Sequence, residues 1–321
     1  LTQQTKAQQT TDMKLHLLPL LLTIGTSFAA MAQKPDSAQA LVHYKFTWVR
    51  DTTDRTKPYT ENMALFVGAN ASAYKSWDRK LQNDMVKKQI ADQVAANGGA
   101  GGPISIKRSG PNGSTTEYYQ FPNENKLIRK ESLISSYQIE EPMPLIKWKI
   151  SADTSTIGNL HCQKATAHFK GRDYTAWFCS DLSYRSGPWK LNGLPGLIVE
   201  AYDAKKDVVF KFDGIDPVTH SAPPTSIAPP NGVKIFTMGG DDSSDPSIIA
   251  VPESAIKTSE KEFTTLKEAM IKDPQAFADA AMASANMNMG GPGAPHSVMK
   301  IKMNPAPQPV INNPLELPEK K

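Results

Sequence analysis

The sequence predicts a mainly β (α+β) fold: an open, curved, antiparallel sheet with one amphipathic helix covering it and a disordered C-terminal tail. Three observations lead there. Between about Pro103 and Phe212, short runs rich in β-branched and aromatic residues alternate with Gly, Pro, Asn and Asp clusters at hairpin-like intervals. Such short connections favour antiparallel pairing, because a parallel crossover needs a dozen or more residues. One long segment, Ser76 to Ala96, carries helical spacing instead. Beyond Ala285 the chain is rich in Met, Gly, Pro and Asn and lacks the apolar content to pay for order.

The elements follow in order. Leu41–Arg50 places Val42, Tyr44, Phe46 and Trp48 on one face and His43, Lys45 and Thr47 on the other, the period of a half-buried strand. Met63–Val67 is a second strand. In Ser76–Ala96, Trp77, Leu81, Met85, Ile90 and Val94 recur at spacings of four or five until Gly98-Gly99 ends the run. Strand signals then recur in PISIKR, TTEYYQF, KLIRKESLI, LIKWKIS, HCQKATAHF, YTAWFCSDL, GLIVEAYD and DVVFKFD. A Pro-, Ser- and Asp-rich insertion of about 216–256 interrupts the domain, with VKIF at Val233 as a strand-like piece. Ser259 and Glu262 form a capping box for a helix bearing Phe263, Leu266 and Met270, and Asp273-Pro274 opens another through Phe277.

The N-terminal region predicts export. Met13-Lys14 precede an apolar run from Leu15 to Phe28, and Ala30-Met31-Ala32 predicts cleavage before Gln33. Residues 13–32 are therefore read as a signal peptide and 1–12 as an upstream extension absent from the mature protein. The run is short and contains Pro19, which suits a signal better than a permanent anchor. The expected location is the periplasm or the periphery of the outer membrane, with 33–284 as a single domain and 285–321 as its tail.

Composition narrows the function. A net charge of +4 and a pI near 8.8 give no case for nucleic acid. Two cysteines leave room for one disulfide but exclude a cysteine-only zinc site. Cys162 and Cys179 flank Phe169–Tyr174. If Phe169 faces Arg172 across a two-residue turn, the cysteines also stand opposite each other, close enough for a disulfide, and an oxidising compartment makes a Cys162–Cys179 disulfide the expectation over two free thiols. A longer turn around Gly171 would make them diagonal neighbours instead.

No catalytic or cofactor motif is present: the histidines form no H-x-x-x-H pair, and there is neither a nucleophile elbow nor a P-loop. Gly98–Gly102 reads as a hairpin loop and Asp241–Asp245 as a solvated acidic loop. In the tail, Met287, Met289, Met299 and Met303, with His296, offer soft ligands suited to Cu(I), against a reading in which Met is merely tolerated.

Residues Gly187-Pro188-Trp189-Lys190-Leu-Asn-Gly193-Leu194-Pro195-Gly196-Leu197-Ile198 resemble the GLPGLI family of exported Bacteroidota proteins, whose name is spelled by Gly193 to Ile198. Cys162–Ala165, Gly171-Arg172, Ala176-Trp177 and the closing Asn313-Pro-Leu-Glu316 also resemble that family's pattern. The resemblance implies no established activity, cofactor or catalytic residue. Pro195-Gly196 reads as the centre of a type II turn feeding a strand. Trp189 and Leu194 either pack into the core as a structural corner or face a ligand or partner.

The function class predicted is a non-enzymatic binding or carrier protein for an apolar small molecule held in the sheet's concavity. The alternatives are an interaction module docking on an outer-membrane protein and copper handling by the tail.

Overall fold

The alternation in Leu41–Arg50 becomes β2 (Ala40–Trp48), which buries Val42, Tyr44 and Phe46 as expected. The computed structural model describes residues 35–96, 105–107, 113–218, 247–284 and 309–319. All of them belong to one compact unit, Lys34–Lys321. The signal segment, Gly98–Gly102, Val233–Phe236, Asp241–Asp245 and the ligand candidates Met287, Met289, His296, Met299 and Met303 lie outside the described residues.

Six strands follow one another as a meander: β2, β3 (Tyr59–Val67), β4 (Ser72–Ser76), β5 (Glu117–Phe121), β6 (Lys126–Ser132) and β7 (Ser136–Pro142). A second meander contains β8 (Lys149–Ile157), β9 (Leu160–Phe169), β10 (Arg172–Cys179), β11 (Leu197–Asp203) and β12 (Val208–Pro217). Pairing of β12 with β2 joins the two into one sheet of order β7-β6-β5-β4-β3-β2-β12-β11-β10-β9-β8, antiparallel throughout. A short strand, β14 (Ile256–Thr258), adds to β7 in parallel, and β1 (Asp36–Ser37) pairs separately with β13 (Ile248–Ile249).

Connectivity forces this sheet to curl. Strands β7 and β8 stand at opposite ends of an eleven-strand run, about 48 Å apart if it were flat, at ~4.8 Å per strand. Yet only residues 143–148 separate them in sequence, a link that reaches about 25 Å at full extension. Side chains show the same bend. The rings of Tyr74 on β4 and Phe210 on β12 lie 6.3 Å apart although two strands intervene. The Tyr44 hydroxyl on β2 donates to the Ile198 carbonyl on β11 at 2.6 Å, across β12. One core therefore contains residues from β2–β4 and from β9–β12 together, and a smaller one, with Ala64, Phe66, Ala73, Tyr119 and Ile128, lies on the opposite face.

Helix α1 (Trp77–Ala96) matches its expected bounds, with the Ser76 hydroxyl accepting from the Arg79 amide. Its apolar face departs from the expectation. Leu81 and Met85 are exposed, while Gln82 and Ile90 are buried. Spacings of four and five carry the apolar residues around the helix surface, so no continuous stripe forms. The helix is held to the sheet by Trp77, which packs on the smaller core and edge-on against His43 of β2 at 5.0 Å, and by the Asp78 carboxylate accepting from the Asn62 backbone and side-chain amides. Helix α2 (Glu260–Lys272) has both arms of the capping box of Ser259 and Glu262, and α3 (Pro274–Ser284) follows it. The tail expected to be loose ends in an ordered segment, residues 309–319, in which Asn313 is buried.

Candidate functional site

The connection from β10 to β11, residues 180–196, does not run over the outside of the sheet. It enters the concavity. Trp189 is 1% exposed and stacks on Phe210 (6.2 Å, 14°), with Phe169 and Tyr174 tilted against it. Leu191 and Leu194 are buried beside it, and the Trp189 carbonyl accepts from Gln120 Nε2 on the far limb. Trp189 takes φ +56°, a left-handed conformation that costs a bulky residue on the order of 1–3 kcal/mol and is retained because its burial outweighs it.

The same loop closes the seam between β7 and β8. Lys190 Nζ lies 2.8 Å from Glu141 on β7 and 2.9 Å from Glu316. Asn192 donates to the Pro144 carbonyl, and the Trp148 indole donates to the Asn192 carbonyl at 2.7 Å. The turn expected at Pro195-Gly196 is not type II, because Gly196 does not take positive φ; Gly193 does, at +88°. Gly196 is needed for a different reason: a Cβ there would collide with the Cys179 carbonyl at the end of β10.

Residues 309–319 cross one end of β2, β12, β11, β10 and β9. The Asn313 side chain accepts from Arg172 Nη2 at 2.7 Å and donates to the Val49 carbonyl at 2.8 Å, and its own carbonyl accepts from the Trp48 indole. Arg172 also donates to the Pro314 and Leu315 carbonyls and pairs with Asp203 at 2.7 Å, both side chains almost wholly buried. Glu316 lies between Lys190 and Lys170, and Glu319 bonds His168. Burial opposes ionisation of Glu316, but the two ammonium groups outweigh it and hold the carboxyl below its ordinary value. The His168 pKa is raised, chiefly by the hydrogen bond to Asp173 and further by Glu319.

The cysteine expectation is half met. Phe169 pairs with Arg172 across Lys170-Gly171, both at positive φ as a two-residue hairpin turn requires. The register that would set Cys162 against Cys179 is therefore present, yet both thiols are free. The β9–β10 ladder stops at Gln163–Phe178, one pair short; Cys162 pairs with Ser155 and Cys179 with Leu197 instead. Burial pushes the Cys162 thiol up to about 11, with Cys179 adding to the effect, so the reactive thiolate is disfavoured there.

At the rim, Gln39, the β3–β4 turn (Gly68 to Ser72), Pro122, Asn123 and the loop residues Ser183 to Ser186 surround a half-open groove of about 460 Å³. The turn is shaped by the Asp36 carboxylate, which accepts from the amides of Asn70 (2.6 Å) and Ala71 (2.9 Å). Among the described residues no cluster of three His, Cys, Asp or Glu is placed to hold a metal ion, and no helix is long and apolar enough to cross a membrane.

Sequence reasoning marked Trp189, Lys190, Arg172 and Asn313, but missed the partners that give them a role: Gln120, Glu141, Asp203 and the Trp48 indole. Each is an ordinary polar or aromatic residue in a strand or turn, and only the curl of the sheet brings it to the motif.

Together these features define a curled antiparallel sheet whose interior is filled by its own loop and whose end is crossed by its own C-terminal strap. No protein-family model matches the chain, and no curated protein matches it. Among solved structures it is similar to PNGF-II in the P21 crystal form (12% identity, TM-score 0.40, covering 58% of this chain and 29% of the other). It is similar also to PNGF-II in the C2 form (11% identity, TM-score 0.43, covering 71% and 32%). The chain thus spans about a third of the length of those proteins, and likeness at this level carries no argument about either molecule.

Proposed function

We propose that this chain is an exported protein of the GLPGLI type that works without catalysis, as an interaction module docking on an outer-membrane protein. The observation supporting docking over carriage is Trp189. With Leu191 and Leu194 it occupies the concavity that an apolar cargo would need. What the domain then offers a partner is its surface, and the groove bordered by Asn123 and Ser183–Ser186 is a recessed part of it, with Arg185 exposed at its edge.

The test pairs two measurements on the purified protein. A panel of fatty acids and phospholipids should leave both the melting temperature and the Trp emission unchanged. Stabilisation growing by ~1.4 kcal/mol per tenfold excess of one lipid over its dissociation constant would restore the carrier reading. In parallel, a photo-crosslinker at Arg185 should give one discrete adduct in intact envelopes, and one at exposed Lys257 should not. Indistinguishable adduct patterns from the two positions would remove the groove from the docking surface.

A further inference from the structure

The strap is bound as a peptide ligand is bound. Residues 309–319 form neither strand nor helix and add no rung to the sheet. Their backbone bonds run to single carbonyls at strand ends: Asn312 and Asn313 to Arg50, Leu317 to Lys170. The site that holds them is preorganised by the sheet itself. Arg172 on β10 is fixed by Asp203 on β11, and Asp203 in turn accepts from the Val208 amide on β12. With one guanidinium edge so anchored, Arg172 presents its remaining donors outward, and Asn313, Pro314 and Leu315 take them.

Recognition is specific at three positions. Asn313 has both side-chain ends read, its oxygen by Arg172 and its nitrogen by the Val49 carbonyl and Asp207. Asp in its place would set a second acceptor against a carbonyl and a carboxylate. Glu316 fits between two ammonium groups. Leu317 lies over Gly171, where a Cβ would come within 2.7 Å of the Leu317 Cβ and carbonyl oxygen, so the floor of the site is cut away to admit the peptide. Residues 285–308 separate the strap from α3 in sequence.

We infer that the common end of β2, β12, β11, β10 and β9 is a peptide-recognition site for an extended Asn-Pro-Leu-Glu segment, with the chain's own residues 312–319 as a ligand held in cis. The same segment supplied in trans is then a ligand too, and competes with the tethered one. Because the cis copy is covalently attached, its binding is intramolecular, so the wild-type chain masks the site, and weakening the cis copy unmasks it.

The experiment uses the full chain carrying Asn313→Ala and a fluorescein-labelled synthetic peptide of residues 309–319. The variant should melt below the wild type. Wild-type peptide at millimolar concentration should recover most of that loss, and fluorescence polarisation should show saturable binding at least tenfold tighter than to the wild-type chain. The same peptide with Ala at Asn313 should neither bind nor rescue, and a full chain carrying both Asn313→Ala and Arg172→Ala should bind neither. If Asn313→Ala does not fold, Glu316→Gln, which keeps the Asn313 contacts, serves as the weakened chain with the same readouts. Absence of saturable binding to a folded weakened chain would overturn the inference, and so would binding that survives loss of Arg172.

Discussion

The interior loop and the C-terminal strap both close the sheet, and they do so by different physics. The loop acts through apolar burial: Trp189, Leu191 and Leu194 bury nearly all their surface against both limbs, and the polar contacts of Lys190 and Asn192 follow from where that burial places them. The strap buries little apolar surface, with Leu315 only partly covered and Val310 and Ile311 exposed. Its attachment is a set of directed hydrogen bonds and ion pairs to Arg172, Lys190, Lys170 and His168. The difference teaches which closure can be opened. Apolar burial involves no titrating group and no ion pair for salt to screen, and it is lost only with the fold. Charge-assisted contacts at a half-exposed edge respond to pH, to salt and to a competing ligand.

Trp189→Ala is the strongest way to break that comparison. Removing a fully buried Trp costs ~3–5 kcal/mol through lost transfer energy and the cavity left behind, and Ala keeps the unfavourable positive φ. Denaturant unfolding should therefore give a loss of about 4 kcal/mol. A loss below about 1 kcal/mol would mean that the ring fills a ligand space and is not part of the core, and the contrast between the two closures would fail.

Arg172→Met ranks next, at about 3 kcal/mol, because it leaves Asp203 buried without its cation. It should also separate the two regions in a way that Trp189→Ala cannot. Hydrogen exchange of residues 312–317 should accelerate while the amides of β10 and β11 around the loop stay protected. Equal acceleration in loop and strap would show one cooperative unit where two are expected.

How much of this was legible in the sequence depends on whether the cause was local. The strands around Tyr44 and Phe46 and the Ser259–Glu262 cap are written in period and spacing, and both are present as expected. The turn at Lys170-Gly171 was legible as a turn but not in its length, and the two-residue form of the two alternatives is the one that sets the β9–β10 register. Helix α1 was legible as a helix, and its packing on the sheet is present in part: Trp77 and the buried Ile90 face inward while Leu81 and Met85 do not, and the Asp78–Asn62 contact that helps hold it is not written in apolar spacing. The candidate site was legible as motifs without a geometry. Gly196 reads from composition as a turn glycine, yet its constraint is the Cys179 carbonyl beside it. Arg172 and Asn313 lie 141 residues apart, and only the curled sheet, a consequence of the short β7–β8 link, explains why both are needed. The final residues read as loose because their composition is poor in core formers; polar recognition holds them, and composition does not register it.

The smallest expected effect is the sharpest test of the contrast. Glu316 is held below its ordinary pKa of 4.5 by Lys190 and Lys170, so its stabilising contribution is complete above that value and is lost as pH falls through the lowered one. His168 is raised above its ordinary 6.5, so its contribution is complete below 6.5 and is lost as pH rises through the raised value. Strap attachment should therefore be firmest between about pH 5 and 6.5, weakening on both sides. Because His168 is about half exposed, the alkaline limb amounts to only a few tenths of a kcal/mol. Peptide-level hydrogen exchange across residues 312–319, corrected for intrinsic rates, reads that profile directly, with the buried Leu197–Val199 amides as a control that should show no trend. His168→Gln should flatten the alkaline limb and leave the acid limb in place, since Glu316 and its two lysines are untouched. An alkaline limb that persists in His168→Gln would assign the weakening to another group. A control segment that follows the same profile would mean that the apolar closure senses pH as the strap does, and the two regions would no longer differ in kind.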